Sequence, residues 1–136
     1  MSRRARGTED RERGYSVVEF VLWVPLLFAV LAFALQAGMY LWAEHVAQCA
    51  AQAGALTAQD EYANDRAHWL ADARGAALGQ IQNLAPALLA NPAATPSQAG
   101  TTVTVTVTAH VPAILFPFLT TVTATASGPI EQWTTP

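Results

Sequence analysis

The sequence predicts an α+β protein: one long N-terminal helix lying half in a membrane, a second amphipathic helix, and a C-terminal two-stranded antiparallel β-hairpin. Three observations predict it. Residues 20–43 contain no charged side chain. Small apolar residues then recur at every third or fourth position. From Thr102 that spacing gives way to strict alternation of Thr and Val.

Residues 1–14 are polar and mixed in charge, and are expected to form a short disordered basic leader. Five of the seven basic residues lie there, namely Arg3, Arg4, Arg6, Arg11 and Arg13, and the chain has no Lys. Residues 15–43 form the expected transmembrane helix. A helix needs about 20 apolar residues to cross the hydrocarbon core, and the charge-free run supplies 24. It is longer than a secretory apolar region of roughly 7–15 residues, and no small-residue cleavage site follows promptly. The arginines on its N-terminal side put that side in the cytoplasm and the remainder outside the cell membrane. Tyr40 and Trp42 suit the outer interface, and Pro25 sits near the start, where lost backbone bonds cost least.

Residues 44–100 read as an external helical region and linker. Val46, Cys49 or Ala50, Ala53 and Leu56 form a narrow stripe that can approach a neighbouring helix closely. The pattern weakens around residues 60–64. A second helix is expected over about residues 65–85, with Leu70, Ala73, Ala77, Ile81, Leu84 and Leu88 on its apolar face. Pro86 and the stretch Asn91-Pro92-Ala93-Ala94-Thr95-Pro96 should stop it. Residues 101–136 contain the hairpin. Val103, Val105, Val107 and Ala109 alternate with Thr102, Thr104, Thr106 and Thr108, and residues 121–126 repeat the pattern. The connection Val111-Pro112-Ala113-Ile114-Leu115-Phe116-Pro117-Phe118-Leu119 is too rich in Pro for a sheet interior. It is also very apolar for a loop, so it should be buried against a helix, a partner or the lipid surface.

Composition narrows the function. Only 12% of residues are charged, against about 25% in an average soluble domain. The part beyond the apolar run is acidic, which argues against nucleic acid. Ser16, Ser97 and Ser127 stand in no nucleophile context, and Asp60, Glu61, Asp65 and Asp72 read as a solvated face. No phosphate loop is present, and neither enzymatic activity nor a cofactor is expected. His45 and Cys49 are four apart and would make half a metal site, but no second pair has ligand spacing, so no metal is expected. Cys49 reads as a small residue in a helix face; a cross-link between two copies is the other reading. Ala34 and Gly38 form a small-x3-small pair that would let two membrane helices approach, and Gly75 and Gly79 repeat the spacing outside. Gln36, in mid-span, could bond across a helix pair, within its own helix, or to water.

The stretch Arg13-Gly14-Tyr15-Ser16-Val17-Val18-Glu19-Phe20, followed by an apolar helix with an early Pro25, resembles the N-terminus of TadE-like proteins. These are minor pilin-like, or pseudopilin, subunits of tight-adherence (Tad/Flp) pilus systems. The Ala-rich continuation over residues 47–55, the Val-Thr strand and the terminal Thr-Val-Thr-Ala-Thr-Ala run also resemble that family. The resemblance implies a structural subunit or assembly factor of a type IV pilus-like or secretion machine. Its partners would be membrane lipid, other pilin-like subunits in a homo- or hetero-oligomer, and a prepilin-type peptidase cutting between Gly14 and Tyr15. Glu19 would then be the fifth mature residue and would pair with the α-amino group exposed on an adjacent subunit. From the residues alone, hydration of Glu19 at the interface, or pairing with Arg13, is an equally good reading. The alternative function is an uncleaved single-pass scaffold or regulatory protein of a secretion machine.

Overall fold

A computed structural model describes residues 6–130, with side chains from residue 16 onward. The element order is α1 (Arg6–Asn64), α2 (Trp69–Leu84), β1 (Ala90–Ala99), β2 (Thr102–His110) and β3 (Thr121–Pro129). The α+β class holds, with three strands in place of two. The chain divides into two units, residues 1–35 and 36–136.

The first unit is the N-terminal part of α1. Helix begins at Arg6, so most of the expected disordered leader has helical backbone. Residues 1–5 and Trp133 lie outside the described residues. Val17, Phe20, Leu22, Trp23, Leu27, Phe28 and Leu31 each expose more than half their surface. A soluble chain does not leave such a column of large apolar side chains in water. The helix is long and apolar enough to cross a membrane, and none of its most apolar window is buried within the chain.

The second unit has two layers. The distal half of α1 and α2 form one, and an antiparallel sheet of order β1-β2-β3 forms the other. The alternation in β2 does what was expected of it. Val103, Val105, Val107 and Ala109 are fully buried, while Thr104, Thr106 and Thr108 turn to the other, half-exposed face. There Thr106 and Thr125 bring their hydroxyls to 3.4 Å across the strands.

Three expectations need correction. First, the stretch 91–96, expected to be linker, is strand, although α2 does end before it, at Leu84. β1 pairs with β2 alone, so it is an edge strand and can carry Pro92 and Pro96 without breaking an interior ladder. A register shift between Ala90 and Ala93, with Asn91 at φ 47°, absorbs the irregularity. The β1–β2 turn is Gly100-Thr101, and Gly100 at φ 60° in the first central position is what a type II′ hairpin turn demands. Second, the buried face of α2 consists of Trp69, Ala73, Ala77 and Ile81, whereas Leu70 and Leu84 turn outward. Third, the buried stripe of α1 is Ala43, Val46, Ala47, Ala50, Ala51, Gly54, Ala55 and Ala58, and Leu56 is exposed.

The last two share one cause. Small side chains let the layers come close, and larger ones would hold them apart. At Gly54, an added Cβ would lie 3.0 Å from the Ala73 carbonyl oxygen, 3.0 Å from Val105 Cγ1 and 3.1 Å from Ala77 Cβ. That point is where α1, α2 and β2 meet, and hydrogen is the only side chain it admits without movement.

Asp65 shapes the turn between the helices. Its carboxylate accepts from the Ala67 and His68 backbone N–H groups and meets His68 Nδ1 at 2.8 Å. The bond to the His68 side chain holds the Asp65 carboxyl below its ordinary range and raises the His68 imidazole. Arg74 on α2 donates from Nε to the Ala94 carbonyl at 3.1 Å, tying α2 to the edge strand β1.

Candidate functional site

The other edge of the sheet, β3, runs beside α1, and side chains at helical spacing reach carbonyls of β3 and of the loop just before it. Gln36 Nε2 donates to the Leu119 carbonyl at 3.3 Å, Tyr40 Oη to that of Thr121 at 3.5 Å, and Gln48 Nε2 to that of Thr125 at 3.5 Å. Four residues of helix rise about 6 Å, and two residues of strand about 6.6–6.8 Å. A side chain every fourth helical residue therefore keeps step with every second strand residue. This edge would otherwise present unpaired backbone groups to any neighbouring chain, and α1 covers it.

Gln36 does more than the others. It is fully buried, although it sits within the charge-free run. Its Oε1 accepts from the N–H of Ile114 at 2.7 Å and of Leu115 at 3.3 Å. One amide thus takes two backbone donors and serves one acceptor of the apolar connection between β2 and β3. Of the partners open to Gln36 in the sequence, the one realised is a loop 78 residues away. Three further bonds lie within the loop: Val111 N–H to the Thr120 carbonyl at 2.7 Å, Leu119 N–H to that of Phe116 at 3.3 Å, and the Thr120 hydroxyl to that of Pro117 at 3.2 Å.

Gly14 and Tyr15 lie within α1, where the side chain of Tyr15 is not described. Glu19 is exposed, and among the described residues it has no ion pair. The side chain of Arg13, its alternative partner, lies outside them. Ala34 is exposed, and so is Gly38, with no atom within 4 Å of where a Cβ would stand. That surface is open to another helix. Gly79 is half-buried and Gly75 exposed, and neither is crowded. Cys49 Sγ and His45 Nε2 are 3.8 Å apart, and no group of three metal-ligating side chains occurs among the described residues.

The family model described as TadE-like protein matches residues 14–56. This stretch of the chain is TadE-like. Neither the curated proteins nor the solved structures contain a match. The TadE-like segment begins at Gly14 and takes in Glu19, the apolar run, Ala34, Gly38 and all three rungs on α1. The elements those rungs hold, β3 and the loop before it, lie beyond it. Sequence reasoning singled out Gln36 and the loop separately, and no local pattern could have joined them.

Proposed function

We propose that this protein is a non-catalytic, pilin-like structural subunit or assembly factor of a Tad-type pilus or secretion machine. It is held by a single pass in the cell membrane, with its N-terminus cytoplasmic and residues 44–136 outside. The observation that carries this reading is the TadE-like match over residues 14–56, which takes in the apolar run of α1, whose most hydropathic window is not buried among the described residues. Such a helix can exchange lipid for other helices at little cost, because both surroundings are apolar. The exposed Ala34 and Gly38 suit close helix packing in that exchange.

In this reading a prepilin-type peptidase cuts after Gly14. The new α-amino group has a reference pKa of about 7.7–8.0, so it is largely cationic at neutral pH. Glu19 supplies the matching carboxylate on a neighbouring subunit, since an unpaired charge in an apolar bundle is costly. Gly14→Leu is expected to retain the full-length mass in the membrane. Glu19→Ala should be cleaved normally yet co-purify poorly with partner subunits, and Glu19→Gln should fall between it and wild type. Intact mass reports the first step and co-purification the second. A wild-type chain that keeps residues 1–14, together with normal association of Glu19→Ala, would favour the uncleaved scaffold instead. The unbroken helix through Gly14 is the feature that speaks for that second reading.

Orientation has its own test. In a chain carrying Cys49→Ser and Gly14→Leu, which keeps the leader, a cysteine introduced near residue 133 should react with an impermeant reagent on intact cells, and one near residue 5 should not. Reaction at residue 5 alone would reverse the topology.

A further inference from the structure

The loop that Gln36 holds is unusual for a segment outside a membrane. Phe118 is 75% exposed, Ile114 55% and Leu115 46%. No Asp, Glu, Lys or Arg occurs from residue 75 to residue 130. A cluster of large apolar side chains this open needs a cover.

Its level along α1 says what the cover is. Gln36 lies eight residues before Glu44, the first charged residue on the outer side, which is about 12 Å of helix. The interfacial zone on each side of a bilayer is about 5–8 Å deep, from a total of roughly 40–45 Å around a core of about 30 Å. Gln36 and the loop backbone bonded to it therefore lie below the headgroups, within the outer edge of the hydrocarbon. Tyr40, one turn higher, stands where amphipathic rings collect.

Part of the loop backbone is already satisfied for that environment. Irregular chain is tolerated at membrane depth only where protein satisfies its polar groups. Here Ile114 and Leu115 donate to Gln36, while Val111 and Leu119 donate within the loop. Pro112 and Pro117 have no N–H to satisfy. The backbone of Ile114 and Leu115 is bonded to α1 through Gln36, while their side chains and that of Phe118 stay largely exposed.

We infer that residues 112–119 insert into the outer leaflet, with Ile114, Leu115 and Phe118 among the acyl chains and Gln36 as the internal clamp. This second membrane contact rests on the single-pass reading of α1. It fixes the rotation of the outer unit about the helix axis, and it must be withdrawn together with the helix whenever the subunit leaves the bilayer.

The test uses the full chain with Cys49→Ser, reconstituted in phosphatidylcholine vesicles. A single cysteine carrying an environment-sensitive fluorophore is placed in turn at Phe118, at Leu27 in the apolar run, and at Ser97 on β1. Lipids bearing a nitroxide on the upper acyl chain are then added to the mixture. The probe at Phe118 should emit at short wavelength and lose most of its intensity to the nitroxide, whereas the probe at Ser97 should do neither. A Phe118 probe that behaves like Ser97 while Leu27 is quenched overturns the inference alone. Shielding at Phe118 from both water and nitroxide also overturns it, since the cover would then be another protein chain. If Leu27 too escapes the lipid quencher, the membrane reading falls and takes the inference with it.

Discussion

Replacing Gln36 by Leu is expected to release the β2–β3 loop from α1 while leaving the sheet standing. The substitution keeps the volume roughly constant and removes an acceptor for two N–H groups and a donor for one carbonyl. A buried donor left without a partner costs about 1–3 kcal/mol, so two of them cost about 2–6 kcal/mol. The loop can recover part of that only by moving into water, which exposes its apolar side chains further. Hydrogen exchange in lipid nanodiscs should show the amides of Ile114 and Leu115 exchanging faster by about two orders of magnitude or more, equivalent to at least ~2.7 kcal/mol. The comparison is Gln48→Leu, which removes one longer bond of 3.5 Å at an exposed position and should cost under about 1 kcal/mol. If the two variants protect Ile114 and Leu115 equally well, Gln36 is not the clamp.

The second large effect belongs to the core. Val105 is fully buried, with a methyl group facing Gly54 at the three-element junction. Val105→Asp would place a carboxylate among Ala, Val and Ile side chains, with no basic group among the buried residues to receive it. The expected loss is about 3–5 kcal/mol, enough to unfold a marginal domain. Thr104→Asp, one residue away on the half-exposed face, should cost under about 1 kcal/mol. Pulse proteolysis of the two variants in detergent provides the comparison. Equal susceptibility would mean that the faces of β2 are assigned the wrong way round.

The legible parts of this fold were those encoded by local periodicity. A charge-free run and a change of period from 3.6 to 2 declare the anchor, the existence of α2, and the inward face of β2. Side-chain size is a poor guide to burial in this chain. Leu56, Leu70 and Leu84 look like core residues and are not, because the helices meet the sheet through Ala and Gly. β1 was hidden by Pro92, Pro96 and a lack of β-branched residues, features an edge strand can accept and an interior strand cannot. Gly100-Thr101, two residues ahead of an obvious strand, was the available turn signal. The bond from Gln36 to the loop had no signal at all, since residues 78 apart in sequence leave no mark on either local pattern. For the proposed processing site at Gly14 and Tyr15 and the pairing of Glu19, legibility came from family likeness.

The rungs between α1 and β3 have a mechanical meaning. The two elements run in the same direction, and the bonds from Tyr40 and Gln48 reach sideways from helix to strand, while that from Gln36 reaches Leu119 just before the strand. A pull along the helix axis therefore loads these bonds together, in shear. A pull across it would open them one after another, as a zipper opens. Several bonds sharing a load resist it far better than the same bonds met in sequence, so the second unit is stiffest against tension transmitted lengthwise through its part of α1.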